Sequence, residues 1–314
     1  MPPSPLAAVL QHLRREPSRT WSIVVTVFGD AIVPRGSSVW LGTLLTLFET
    51  LGIGAGVVRT AMSRLTADGW LVRTRVGRNS FYRLDESHAG FARATARIYG
   101  PPAPRWDGRF RLVLADADHR PEFLAAGYGA AAPGLFVTAD PALEPPVAGS
   151  IVLYATADDA SIQRLAAQTW PLDRVAAAYA EFTEVFRPME GWSGFDALDA
   201  LAARVLLVHE YRRIVLQDPL LPAAILPPNW PGEAACRLCA TLYPRLLPAS
   251  EAWLDAHART ESGPLPAARL DLWQRFVVLP SPPAGEGRDA GGSSAGSQQQ
   301  NVLPIFVDDS HHVT

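Results

Sequence analysis

The chain has 314 residues, 48% of them hydrophobic, with a formal net charge of −3 and two cysteines. That length is enough for two or three cores, and two cysteines exclude a disulfide-built scaffold. The absence of an apolar run of membrane-spanning size and of a basic, apolar leader predicts a cytoplasmic protein with no membrane partner.

A slightly acidic total argues against nucleic acid, but the charge is unevenly placed. The first hundred residues hold twelve arginines and six acids, about +6, which leaves about −9 for the remainder. This asymmetry places a phosphate-binding surface at the N-terminal end. All 28 basic residues are Arg.

Residues 1–20 form an N-terminal extension, and residues 21–99 read as a winged helix-turn-helix DNA-binding domain. Trp21 to Phe28 is an apolar run followed by Gly29-Asp30 and Pro34. Val39 to Leu51 has leucines at helical spacing, with Ser37 or Ser38 as N-cap and Gly52 closing the helix. The link LGIGAG is the turn of the motif. In the next helix, Val57, Val58, Ala61, Met62 and Leu65 fall in one apolar sector at about 100° per residue, with Arg59, Thr60 and Ser63 opposite and Arg64 at the edge.

A basic hairpin follows. Arg73 and Arg75 share one side of the strand and Val72, Thr74 and Val76 the other. The turn Gly77-Arg78-Asn79-Ser80 carries Arg78 to the tip, and Tyr82 and Arg83 return on the second strand. An amphipathic helix with arginines on a solvated face is common, but helix, turn, helix and basic hairpin in series favour a DNA reader. Arg59, Thr60, Ser63 and Arg64 would read or position on the major groove. Arg73, Arg75, Arg78 and Arg83 would grip backbone or minor groove, and Arg35 and Tyr82 complete the candidate contacts to double-stranded operator DNA.

Beyond the linker Gly100-Pro101-Pro102-Ala103-Pro104, residues 105–175 alternate strands (109–116, 135–138, 150–156) with helices (121–130, 157–170), which suggests a small α+β sandwich of ferredoxin-like type. Residues 176–278 are mostly helical: DRVAAAYAEFTEVF, GFDALDALAARVLLVHEYRRIVLQ, EAACRLCATLYPRLLPASEAWLDAHA and AARLDLWQRF each carry apolar residues at three- and four-residue steps. Residues 281–314 have the Gly, Ser and Gln content of a disordered tail. The fold class is α+β, multidomain.

His209, Arg212 and Arg213 share a helical face and would present positive, switchable charge to an anionic ligand; an internal salt-bridge cluster with Glu210 or Asp218 is the alternative. HEYRR lacks the second His of a zinc motif. Cys236 and Cys239 sit in a helical pattern without a second pair, so they read as small buried residues rather than zinc or redox ligands. No nucleophile elbow, P-loop or dinucleotide fingerprint occurs in the right context. No catalytic residue, metal site or cofactor is predicted.

The segments IVVTVFGDAIVPRGSSVWLGTLLTLFETLGI, VVRTAMSRLTADGWLVRTRVGRNSFYRL and HEYRRIVLQDPLLPAAILPPNWPG resemble the PaaX family of bacterial repressors of phenylacetate catabolism, from about Ser22 to Leu254. The resemblance implies a homodimer on a palindromic operator, released by phenylacetyl-CoA or a similar acyl-CoA. It also implies a central ferredoxin-like domain similar to the small CRISPR-associated adaptation nuclease. An aryl-CoA needs Arg-rich and aromatic surface, which adds Arg187 and Trp192 to His209, Arg212 and Arg213 as effector candidates. The same central domain motivates the alternative of a metal-dependent nucleic-acid-processing enzyme, in which Asp116 and Asp118 would hold Mg²⁺.

Overall fold

In the computed structural model of the chain, residues 5–15, 19–36, 38–85, 89–100, 106–192 and 194–276 are described; Ser37, most of the proline linker and the expected disordered tail lie outside them. The polypeptide is mixed α and β. Helix α1 spans Pro5–Arg15 and α2 Thr20–Val27. The β-branched run in α2 favours a strand by propensity, yet Ile23 through Val27 are buried on every side, and an all-round apolar helix is stable inside a core. One π turn (Phe28–Ile32) and a short 3₁₀ turn (Val33–Arg35) continue it to Gly36, which at φ 62° takes the left-handed cap.

Strand β1 (Val39–Trp40) leads into α3 (Leu41–Thr50), the four-residue turn Leu51–Gly54, and α4 (Ala55–Ala67). The N-cap of α3 is Trp40, and Ser38 instead donates its hydroxyl to Glu261. Strands β2 (Leu71–Val76) and β3 (Asn79–Leu84) form a hairpin, and β1 adds to β3, giving an antiparallel sheet of order β1-β3-β2. Helix α5 is Ala89–Tyr99.

The central unit begins with β4 (Phe110–Leu114) and α6 (Arg120–Ala126). Gly127 (φ 102°) stops α6, so the expected helix 121–130 ends early and Gly129–Ala132 is instead strand β5. Strands β6 (Leu135–Thr138) and β7 (Ile151–Ala155) complete a sheet of order β5-β6-β4-β7, antiparallel at every pair. The connection from β6 to β7 is irregular. Pro141, Pro145 and Pro146 forbid a helix there, and the buried Arg111 guanidinium holds it by donating to the carbonyls of Pro141 (2.9 Å) and Leu143. After β7 comes α7 (Asp159–Thr169), capped by the Asp158 carboxylate, which accepts from the Ser161 amide at 2.8 Å.

Helices α8 (Leu172–Phe186), α9 (Ala197–Val215) and α10 (Pro231–His257) follow. A small hairpin, β8 (Arg259–Thr260) and β9 (Gly263–Pro264), leads to a 3₁₀ turn at Leu270–Gln274 rather than the helix expected over 267–276. That segment is tied back to the N-terminal unit instead, the Arg269 amide donating to the Pro34 carbonyl at 2.9 Å.

Two cores serve the central sheet. Phe123 stacks on Phe136 (4.0 Å, 2° between planes) beneath α6, and Phe110, Val137, Ile162, Ala166 and Trp170 close the opposite face. The N-terminal unit and the C-terminal helices, expected as separate domains, share a third core that includes Val24, Phe48, Met62, Leu206 and Tyr243. Helix α9 runs through it, with every residue from Ala200 to Tyr211 buried and α2, α3, α5, α8 and α10 packed around it.

Candidate nucleic-acid interface

Helix α4 buries Val58, Ala61, Met62 and Leu65 and leaves Arg59, Thr60, Ser63 and Arg64 in solvent. Val57, expected in the apolar sector, is 54% exposed. At the first turn, the supporting elements do not reach as far around the helix as its apolar periodicity suggests. The side chain of Arg64 comes within 3.6 Å of Asp68 one turn on, an exposed pair worth little. Gly69 (φ 76°) and a hydrogen bond from the Trp70 amide to the Leu65 carbonyl (2.8 Å) turn the chain into the hairpin.

The hairpin register pairs Val76 with Asn79, so the turn is only Gly77-Arg78, with Gly77 at φ 59°. Asn79 and Ser80, expected in the turn, belong to β3. Arg73 donates to the Ser80 hydroxyl at 2.8 Å and Arg75 to the Gly77 carbonyl at 3.3 Å, which fixes both side chains along the hairpin. Among the described residues, Arg59, Arg78 and Arg83 are exposed with no hydrogen bond or ion pair, and are therefore available to an external anion.

Two expected DNA contacts are corrected. Tyr82 is buried in the shared core, with Arg73 6.0 Å above its ring. Arg35 has a side chain 1% exposed and donates to Asp255 (2.8 Å), the Pro266 carbonyl (2.8 Å) and Glu251 (2.6 Å). It fastens the N-terminal unit to α10 and has no free donor face toward a nucleic acid.

Neither residue explains why the N-terminal unit and α9 form one body; that role falls to Asp30, in the π turn after α2. Its carboxylate accepts from Arg204 (2.7 Å), Arg275 (2.9 Å), Tyr99 (2.8 Å) and Tyr243 (2.8 Å), and its carbonyl from Arg204 and Arg275. Arg204 also donates to Glu251, the acceptor it shares with Arg35. Burial pushes the Asp30 carboxyl up, but Arg204, Arg275 and the two hydroxyls outweigh it, and the net shift is downward. Sequence reasoning passed over this cluster, although a lone acid in the run WSIVVTVFGDAIV and a lone arginine in ALAARVLLV are each hard to bury without the other.

The expected effector residues do not converge. His209 is fully buried, its Nδ1 3.1 Å from the Thr26 hydroxyl of α2; burial first, then Arg212 and Arg213, hold its pKa well below the ordinary value. It is therefore neutral, and not the switchable charge expected. Arg212 donates to Ser22 (3.2 Å) and Arg213 to Glu210 (2.9 Å), the internal pairing that stood as the alternative. Arg213 also lines a cleft of about 140 Å³ between α1, α8 and α9, with His12, Arg174, Phe182 and Phe186. Arg187 lies elsewhere, lining a more open pocket of about 540 Å³ with Glu184, Pro188 and Pro231, and Trp192 packs on Phe195 at 5.0 Å.

The strand-end acids of the central unit serve a turn. The Asp116 carboxylate accepts from the Asp118 amide at 3.1 Å, capping a turn, and no group of three metal-ligating side chains occurs among the described residues. No helix among them is long and apolar enough to cross a membrane.

Residues 19–88 match the family described as PaaX-like protein, and residues 170–256 match the PaaX-like protein C-terminal domain. The chain is also 34% identical over 303 residues to the transcriptional repressor PaaX of Escherichia coli (strain K12), covering 88% of this chain and 96% of that one. On these matches, which take in both the N-terminal helices and the C-terminal helices fastened to them, the chain belongs to the PaaX family.

Proposed function

We propose that this protein is a sequence-specific DNA-binding transcriptional repressor, not an enzyme, acting in the cytoplasm on a phenylacetate-type catabolic operon. The observation that carries the reading is the surface of α4 and the hairpin. A helix presents polar side chains on one exposed face beside a basic, two-residue-tipped hairpin whose Arg78 has no internal partner among the described residues. In this reading α3, α4 and the β1-β3-β2 sheet are a winged helix-turn-helix, with α4 in the major groove and the hairpin as its wing. The central sheet is ferredoxin-like in strand order, with the second crossover helix displaced to follow β7.

Replacing Arg59 and Arg78 together with Ala is expected to weaken duplex binding and flatten its salt dependence. Each phosphate that is no longer neutralised lowers the slope of log K against log salt by about 0.9. A gel-shift salt series reads this directly, and an unchanged slope would remove the interface from this face.

Operator palindromy requires a two-fold dimer, and edge strand β7 offers the surface for it. Ile151, Val152, Leu153 and Tyr154 are all exposed, and among the described residues β7 pairs only with β4. An apolar edge with unpaired backbone groups and no charge to blunt it is a template for pairing with another strand. We assign its occupant as β7 of a second copy. The α2–α9–α10 clamp then fixes each reading helix to its own subunit, and an effector acts by altering how the two subunits meet.

The effector in this reading is an acyl-CoA thioester, phenylacetyl-CoA or a chemical relative. The α1–α8–α9 cleft, with two arginines beside phenylalanines, suits its acyl end, but about 140 Å³ is far below the several hundred Å³ of a whole-cofactor site. The bulk of the nucleotide would lie on open surface. In a thermal-shift panel of acyl-CoA thioesters with and without operator, the effector is expected to stabilise the free protein and dissociate the DNA complex. Stabilisation without dissociation would make the compound a ligand but not the inducer.

A further inference from the structure

We propose that Val57 is a base-reading residue, and that the first turn of α4 recognises the 5-methyl group of a thymine in each half-site. The inference deepens the DNA-binding reading and rests on it. Val57 is the one large apolar side chain exposed on α4, at 54%, while Val58, Ala61, Met62 and Leu65 on the same helix are all buried. Its neighbours toward the helix start are Gly54, Ala55 and Gly56, all exposed, and a Cβ built on either glycine would meet nothing within 4 Å. Among the described residues nothing therefore stands between this turn and an approaching base edge.

One turn further on the same face, the Thr60 hydroxyl donates to the Gly56 carbonyl at 3.0 Å. Its proton is committed to the backbone, and what Thr60 offers outward is an acceptor and a methyl group. The first turn thus carries no side-chain donor for the guanine O6 and N7 or adenine N7 acceptors. In the major groove the chemistry that an apolar, donor-poor surface can meet is the thymine C5-methyl. Arg64, two turns on in line with Val57, and Arg59, at the other edge of the polar face, supply the donors for guanine edges or phosphates.

The test uses the full chain and a duplex recovered by it from a random-sequence pool. Each thymine is replaced singly by uracil, which removes one methyl group and keeps every hydrogen-bonding edge. At one thymine per half-site the replacement is expected to weaken wild-type binding about four-fold, the worth of one buried methyl. V57A, which alters an exposed side chain and should melt as the wild type does, is expected to bind the thymine duplex more weakly and to be indifferent to uracil at that position. Wild-type binding unaffected by uracil everywhere overturns the inference while leaving the DNA-binding reading intact. The same uracil penalty in V57A overturns it equally. Recovery of no preferred duplex would sink sequence-specific reading altogether.

Discussion

Asp30→Asn is expected to lower the free energy of unfolding by about 3–5 kcal/mol, the effect of leaving buried charge without its partner. The substitution keeps the shape of the side chain and removes the one anion on which Arg204 and Arg275 both converge; the remaining carboxylate in reach, Glu251, is already shared between Arg204 and Arg35. Urea denaturation at neutral pH measures the loss, and a change below about 1 kcal/mol would mean the cluster is not a clamp. The pH dependence follows in sign. The native carboxyl titrates below its unfolded value, so its contribution is fully present above the unfolded pKa and is lost as the pH falls through the native one. The variant should therefore lose less of its own stability on acidification than the wild type.

With β7 as the proposed dimer edge, Leu153→Lys should leave the fold intact and yield a monomer that no longer binds a full operator tightly. Leu153 is 47% exposed on the outermost strand, and no core depends on it. A lysine on an edge is how strand-to-strand pairing is prevented. Losing the second reading helix removes the gain of binding two half-sites at once, on the order of 10²- to 10⁴-fold. Sedimentation velocity should show a monomer, and a half-site duplex should be bound as well as by the wild type. A variant that remains dimeric at micromolar concentration would move the interface away from β7.

Much of the N-terminal unit was legible because its signals are local. The period of 3.6 in α4, the period of two in the hairpin and the glycines between them depend on a few neighbouring residues. What failed depended on distant ones. Arg35 reads as a free surface arginine until α10, over two hundred residues later, supplies Glu251 and Asp255. Tyr82 alternates as a strand residue on either face, and only the core of α3 and α4 decides which face is inside. Val57 sits at the margin of the apolar sector, where periodicity cannot say how far the partner helices wrap. His209, Arg212 and Arg213 do lie along one helix, but α9 is surrounded, so His209 and Arg212 meet α2 and Arg213 meets Glu210.

The span between Asp30 and Arg275 also sets a schedule. During synthesis the acid of the π turn leaves the ribosome 245 residues before the last of its cations, and at 5–20 residues per second that interval is roughly 10–50 s. For the first part of it, until α9 and then α10 have emerged, the apolar faces of α2 and α3 lack the helices that cover them. The N-terminal unit is thus made first but completes its buried charge cluster only when Arg275 arrives.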